Sequence, residues 1–252
     1  MRLEGSGEPG TGAPENQGSG RGVRGSGEPG TGAPENEGRG RGVRADRVLG
    51  VGLAAAYAAF GLTFRGPRRA FWDRMTATGL ALGGLALVAE PELRRTRIRV
   101  RDLAAGLASA GGLYLVFLAG DRAARRLLPA GAREIGDIYA LRDLGSPGEL
   151  ATRLALVIGP AEELFWRGFV NRRLGRRLGA WAGAAAGAAA YGGAHVVTGN
   201  LTLCGAAGVA GAYWSALAAA GMPMGALVVS HAAWDVWTFL VVPTSRRGTL
   251  HS

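Results

Sequence analysis

Seven apolar runs of about 15 to 21 residues follow the first 47 residues of this 252-residue chain, and they constrain its fold more than any other feature. About 20 apolar residues in a helix cross the ~30 Å hydrocarbon core of a bilayer. We therefore predict an all-α fold, a polytopic membrane helix bundle of about seven transmembrane helices. The runs cover residues 48–64, 75–89, 103–120, 154–170, 178–197, 201–220 and 222–242.

The N-terminal segment has a different composition. Residues 5–24 recur almost unchanged as residues 25–44, and this Gly- and Pro-rich unit has too few apolar side chains to form a core. We expect residues 1–46 to be a disordered tail with two 20-residue repeats. The remaining chain is divided into transmembrane helices and a loop, a catalytic core, and a polar tail; their predicted ranges are 47–150, 151–243 and 244–252.

All 29 basic residues are arginine, the net charge is +10, and most of these arginines lie in short segments between apolar runs. Basic residues placed in this way indicate a membrane lipid environment and not a nucleic-acid partner. Residues 171–177 carry four arginines, so the positive-inside rule places that loop in the cytoplasm. The chain has one cysteine, which excludes an internal disulfide bond and any metal site built from several cysteines.

One apolar run contains three ionisable side chains within six residues. Glu163 and Arg167 are spaced i,i+4 and can pair on a helix, whereas Glu162 points about 100° away from Glu163. Pro160, just before them, cannot donate an i→i−4 hydrogen bond and can kink the helix. Inserting a charged side chain in the middle of a bilayer costs roughly 2.5–3.5 kcal/mol of free energy. Charged residues at such a depth are usually kept for a function, so these three residues predict a functional site.

Two later apolar runs contribute the other ionisable groups. His195 lies near the end of the fifth run, with Tyr191 one turn before it. His231 in the seventh run has Asp235 at i+4 on the same helix face. Polar groups in a membrane protein face one another inside the bundle. We therefore expect one shared site, formed by Glu162, Glu163, Arg167, His195, His231 and Asp235.

These residue types form a competent hydrolytic set, and two arrangements are open. In the first, His195, His231 and a carboxylate such as Glu162 bind a divalent metal such as zinc, and Glu162 takes a proton from its bound water. In the second, Glu162 is itself the general base for water, without a metal, while the histidines and Asp235 orient water or stabilise the oxyanion. No serine or cysteine stands in a nucleophile motif.

The ordered trio of motifs resembles the CPBP family of intramembrane proteases, the CAAX-protease and bacteriocin-processing or Abi proteins, in its type II CAAX endopeptidase-like form. The family motifs are EExxxR, FxxxH and HxxxN/D. Here they are matched by Glu162–Glu163–Arg167, by Tyr191 with His195, and by His231 with Asp235. The resemblance covers roughly residues 150–240. It implies that Glu162 activates water and that Glu163 and Arg167 support the first motif.

Two positions depart from the usual motifs. Tyr191 stands where phenylalanine is usual, and Asp235 stands where the prenyl-processing members have asparagine. An ionised aspartate cannot donate a hydrogen bond to an oxyanion, so this position favours an orienting or metal-binding role and argues against prenyl-peptide cleavage. The resemblance implies an intramembrane endopeptidase for a membrane-associated peptide or protein, as a multi-pass protein of a bacterial plasma membrane.

Two other functions remain open from the sequence. A non-catalytic membrane protein could act as a bacteriocin-immunity or partner-binding factor, but such a protein has no need of the Glu162–His195–His231 set. A proton-coupled carrier would also contain intramembrane Glu and His. Many carriers have inverted repeats, and none is evident here.

Overall fold

The computed structural model describes residues 33–127 and 130–242, and within these ranges the chain is helical without a β-strand. The predicted all-α fold class is confirmed. The chain divides into two units, Met1–Arg39 and Gly40–Ser252, and the helix bundle belongs to the second. The helices outside the first motif are α1 (Ala33–Arg65), α2 (Phe71–Ala89), α3 (Val100–Leu127), α4 (Gly131–Tyr139), α8 (Ala180–Ala194), α9 (Leu201–Ala219) and α10 (Met224–Val236).

The predicted tail falls mostly outside the described residues. Residues 1–32 are not described, and neither are residues 243–252, which include the predicted polar C-terminal tail. Helix α1 begins at Ala33, so it starts within the segment that we expected to be disordered up to residue 46. Pro34 is compatible with this start, because the first turn of a helix has no use for the N–H group that proline lacks.

Four helical segments among the described residues are long and apolar enough to cross a membrane. They correspond to the first, third, sixth and seventh predicted runs, so the full count of seven stays a prediction. Helix α8 has only 15 residues, because the chain leaves it in a short 3₁₀ turn at Val196–Thr198. The four segments are Arg47–Arg65, Val100–Ala124, Leu201–Ala219 and Met224–Val241.

The segment with the first motif, residues 147–178, is a helix with two π-helical stretches, and we call it the motif helix. Ser146 caps its start by accepting a hydrogen bond from the Glu149 N–H group, at 3.3 Å. Pro160 lies just after the first π-helical stretch, as expected where the i→i−4 hydrogen-bond ladder lacks a donor. Its successive parts are α5 (Pro147–Arg153), π-helical Leu154–Ile158, α6 (Gly159–Glu163), π-helical Leu164–Asn171 and α7 (Arg172–Leu178).

Small residues allow the helices around the motif helix to approach closely. A Cβ atom on Gly192 of α8 would lie 3.1 Å from the Gly208 Cα atom of α9. A Cβ atom on Gly106 of α3 would lie 2.6 Å from the Val229 Cβ atom of α10, a distance that real Cβ atoms do not adopt. These two seams place α8 against α9 and α3 against α10. Other glycines lie where α10 and α8 meet the motif helix: a Cβ atom on Gly159 would lie 3.2 Å from the Ala232 Cα atom, and one on Gly183 would lie 2.5 Å from the Gly175 Cα atom.

Candidate active site

A cavity of about 180 Å³ lies between the motif helix, α8 and α10. Four of the six predicted site residues line it, together with Tyr191 and apolar and aromatic side chains. Neither Glu163 nor Arg167 is among its described lining residues. The four that line the cavity are Glu162, His195, His231 and Asp235.

Glu162 and Tyr191 form a direct contact across this cavity. The Tyr191 hydroxyl group donates a hydrogen bond to Glu162 Oε2 at 2.9 Å. Glu162 is only 7% exposed, so its carboxylate meets the cavity and not bulk solvent. The sequence placed Tyr191 next to the site but did not identify it as the partner of Glu162.

Glu163 has a different environment, because two cationic or polar partners from separate segments converge on one of its oxygens. Arg167 Nη1 donates to Glu163 Oε1 at 3.0 Å, and His231 Nδ1 lies 2.7 Å from the same oxygen. The side chains of Glu163 and Arg167 are both fully buried. Arg167 Nη2 also donates to the Gly211 carbonyl oxygen at 3.3 Å, which joins α9 to the same group. We call Glu163, Arg167 and His231 the buried triad.

Two aromatic rings flank the cation of the triad. The Arg167 guanidinium carbon lies 4.9 Å from the centre of the Tyr191 ring and 5.3 Å from that of Trp214. Aromatic faces attract cations, most strongly where water is excluded. Arg167 is thus stabilised by a carboxylate, a backbone carbonyl group and two rings.

His231 is oriented by Trp214, a residue that the sequence analysis missed. The two rings stack with centroids 3.9 Å apart and planes inclined by 19°. Trp214 Nε1 donates to Ser230 Oγ at 3.0 Å, and Ser230 Oγ is 2.9 Å from Ser109 Oγ of α3. A single tryptophan in an apolar helix gives no sequence signal for such a contact.

His231 and Asp235 lie on one helix face, as their i,i+4 spacing predicts, but they do not hydrogen bond. His231 Nε2 lies 3.6 Å from Asp235 Oδ2, which is beyond hydrogen-bond distance, whereas Nδ1 contacts the carboxylate of Glu163. Since a carboxylate accepts, Nδ1 carries a proton in this contact. Nε2, on the other side of the ring, faces the carboxylate of Asp235.

His195 is held in the same tautomer by the backbone. Its Nδ1 atom is 2.9 Å from the Tyr191 carbonyl oxygen, and because a carbonyl oxygen only accepts, Nδ1 is the donor. The Phe60 ring packs against the imidazole, with centroids 5.1 Å apart. A neutral His195 thus has Nε2 left as an acceptor at the cavity.

The donor types that a metal needs are present at the cavity. Among residues 33–127 and 130–242, no three His, Cys, Asp or Glu side chains are gathered so that they could hold a metal ion. The predicted ligands His195, His231 and Glu162 line one cavity without forming such a group. Metal binding by these residues stays a prediction.

A larger cavity of about 580 Å³ adjoins the smaller one, and its walls are mainly apolar. Trp72, Trp234 and Asp235 line both cavities. Asp235 therefore stands on a shared wall. No sequence pattern indicated this second cavity.

Residues 171–177, which we predicted to be a cytoplasmic loop, are helical instead and belong to the far end of the motif helix, mostly to α7. Glu90, at the end of α2, accepts hydrogen bonds from Arg173 Nε at 2.7 Å and from Arg176 Nη2 at 2.9 Å. Burial raises the pKa of Glu90, but the hydrogen bonds from Arg176 and Arg173 outweigh burial and hold the pKa below its usual value. This contact fixes α2 to α7.

Comparison with known proteins identifies a family for part of the chain. Residues 149–237 match the family model described as type II CAAX prenyl endopeptidase Rce1-like. No curated protein and no solved structure matches the chain. The matched segment contains all six predicted site residues, and it confirms the resemblance drawn from the three motifs.

Proposed function

We propose that this chain, which carries an Rce1-like type II CAAX endopeptidase domain over residues 149–237, is an intramembrane endopeptidase that hydrolyses peptide bonds with water activated by Glu162. One observation supports this proposal most strongly. Glu162 lines the same cavity as His195, His231 and Asp235, while its neighbour Glu163 does not. A general base has to reach the proton that it removes, directly or through one water.

The partners of the two glutamates support this assignment. Glu163 Oε1 already receives contacts from Arg167 and His231, and the side chain is fully buried. Glu162 receives one hydrogen bond, from Tyr191, and keeps an oxygen for water. Glu163 therefore serves to position Arg167 and His231.

The reaction follows from these positions. Glu162 takes a proton from water as the water oxygen bonds to the scissile carbonyl carbon, which becomes a tetrahedral oxyanion. When that intermediate collapses, the C–N bond breaks, and the proton on Glu162 passes to the leaving amine. The products are one new carboxyl group and one new amino group, with all the atoms of the water retained.

The histidines and Asp235 orient the reactants. With Nδ1 protonated, His195 has Nε2 as an acceptor that can hold the attacking water. His231 is fixed by Glu163 and by the Trp214 ring, so its Nε2 side stays directed to the region of Asp235. Fixed groups of this kind lower the barrier because they need no reorganisation during the reaction.

The substrate proposed is a membrane-associated peptide or protein, which reaches the cavity from the lipid phase. Four apolar helical segments among the described residues support a membrane location. The multi-pass arrangement and the bacterial plasma membrane stay predictions, as does a divalent metal such as zinc. No step above depends on a metal.

Peptide turnover in detergent tests this proposal. We expect Glu162→Gln to lower turnover by roughly 10²–10⁴-fold, because glutamine keeps the shape but cannot accept the proton. The matched control is Glu92→Gln, the same change at a half-exposed surface residue paired with Arg172. Equal turnover by wild type and Glu162→Gln would overturn the proposal and leave the partner-binding or bacteriocin-immunity function as the alternative.

A further inference from the structure

The larger cavity has the size of a ligand site and adjoins the candidate active site. Its volume of about 580 Å³ falls within the roughly 300–1,000 Å³ typical of ligand pockets. Because Asp235 lines both cavities, a substrate segment held in the larger one continues directly into the smaller one.

The charges along the two cavities are opposite in sign to those of the chain as a whole. The chain has 29 arginines and a net charge of +10, yet no arginine is among the described lining residues of either cavity. The acidic lining residues are Glu162, Asp235 and Asp121. The cavities therefore combine apolar walls with carboxylates and lack a cationic side chain other than histidine among the described residues.

Two further polar groups stand on the wall beside Asp235. Trp234 Nε1 and Thr238 Oγ1 are buried and make no hydrogen bond with a described residue. Both side chains line the larger cavity, and Thr238 is only 5% exposed. Both atoms are covered by protein, whereas the Asp235 side chain keeps 14% of its surface exposed and is the polar group that a ligand meets on this wall.

We propose that the substrate is an apolar peptide segment with one basic side chain, held in the larger cavity with its cation at Asp235. A carboxylate with apolar surroundings favours a cation over a neutral group, because water screens it little. His231 Nε2, at 3.6 Å, does not hydrogen bond to Asp235 and leaves room for this partner. This inference rests on the proposed peptidase function and adds the substrate class.

Paired peptides test the inference. The starting peptide is an apolar one that the wild type cleaves. At each position near the scissile bond in turn, one peptide of a pair carries arginine and the other carries citrulline, its uncharged isostere. The kcat/KM value is measured for both peptides of each pair. At the position that meets Asp235 we expect the arginine peptide to be cleaved about tenfold faster or more. Equal rates at every position would overturn the inference while the proposed function stands.

Variants assign the preference to Asp235. The measured quantity is the ratio of kcat/KM between the arginine and citrulline peptides, which does not depend on the total activity of the variant. We expect Asp235→Asn to lower this ratio to about one. Asp137→Asn, the same change on the exposed side of α4, should keep the wild-type ratio. If Asp235→Asn kept the wild-type preference for the arginine peptide over the citrulline peptide, the inference would be contradicted.

Binding gives an independent measurement if Asp235→Asn is inactive. Fluorescence anisotropy of the labelled peptides is measured with Glu162→Gln and with Glu162→Gln/Asp235→Asn. The measurement does not require either variant to cleave the peptide. We expect the first variant to bind the arginine peptide about tenfold more tightly, and the second to bind both peptides equally. The inference fails if both variants bind the two peptides alike. If the wild type cleaves no peptide, the proposed function fails instead.

Discussion

Glu162 and Glu163 are neighbours of the same residue type, but they lie in two different regions of the protein. Glu162 lines a cavity with His195 and accepts one hydrogen bond, from Tyr191. Glu163 lies inside the buried triad, where Arg167 and His231 occupy one of its oxygens. The one-residue step along the helix turns the two side chains about 100° apart.

The difference shows how one short motif can supply both a reactive group and its support. A fully buried carboxylate is stable only with partners that compensate its charge, and Arg167 and His231 do so for Glu163. In return, Glu163 fixes His231 beside the cavity. Glu162 has no cationic partner of this kind among the described residues, so its carboxylate stays available for water.

The largest effect on stability is expected where the triad loses its cation. Arg167→Ala leaves Glu163 buried without its main partner, and breaking a buried pair costs about 3–5 kcal/mol in the free energy of unfolding. Thermal unfolding in detergent measures this loss. Arg172→Ala, which removes a half-exposed surface pair with Glu92, should cost less than about 1 kcal/mol. Equal unfolding midpoints for Arg167→Ala and Arg172→Ala would show that the buried triad contributes no more to stability than a surface ion pair.

The Glu90 contact provides a carboxylate–arginine cluster at a helix end for comparison. Because the Arg176 and Arg173 hydrogen bonds lower the pKa of Glu90 in the folded state, the ionised form stabilises the fold above the unfolded pKa of about 4.5. This stabilisation is lost as the pH falls through the lower folded pKa. We expect Glu90→Gln to cost about 2 kcal/mol at pH 7, since Arg176 is half-exposed and its contribution is screened.

The measurement is the difference in unfolding midpoint between wild type and Glu90→Gln as a function of pH. It should be largest near neutral pH and shrink below about pH 4.5. A difference that stays constant between pH 7 and pH 4 would show that the Glu90 charge does not stabilise the fold.

The smallest expected effect concerns the hydrogen bond that Glu162 accepts from Tyr191. Tyr191→Phe removes the hydroxyl donor and introduces the residue usual in the FxxxH motif, so we expect turnover to fall by about tenfold or less. The ring still packs on Arg167, and the unfolding midpoint should change little. A loss as large as that of Glu162→Gln would mean that Tyr191 acts in the chemistry itself.

The sequence predicted those features that depend on local spacing. The Glu163–Arg167 pair follows from i,i+4 neighbours on a helix, and it forms at 3.0 Å. The all-α fold follows from the length of the apolar runs. The family resemblance follows from three motifs in order, and the match at residues 149–237 confirms it.

Contacts between distant segments could not be predicted in this way. The sequence paired His231 with Asp235, its i+4 neighbour, but packing of α10 on the motif helix places His231 Nδ1 at Glu163. The stacking of Trp214 on His231 also joins residues of two helices and has no local signal. The π-helical stretches were equally unexpected, because i→i+5 hydrogen bonds have no simple sequence pattern.

Direct comparison of Glu162→Gln with Glu163→Gln tests the central claim, with both turnover of one peptide and the unfolding midpoint measured in the same detergent. We predict that Glu162→Gln loses roughly 10²–10⁴-fold in turnover with a nearly unchanged midpoint. Glu163→Gln should lower the midpoint, since Arg167 and His231 lose their charged partner, while its folded fraction still cleaves the peptide. The opposite result, a folded but inactive Glu163→Gln beside an active Glu162→Gln, would contradict the assignment of Glu162 as the base.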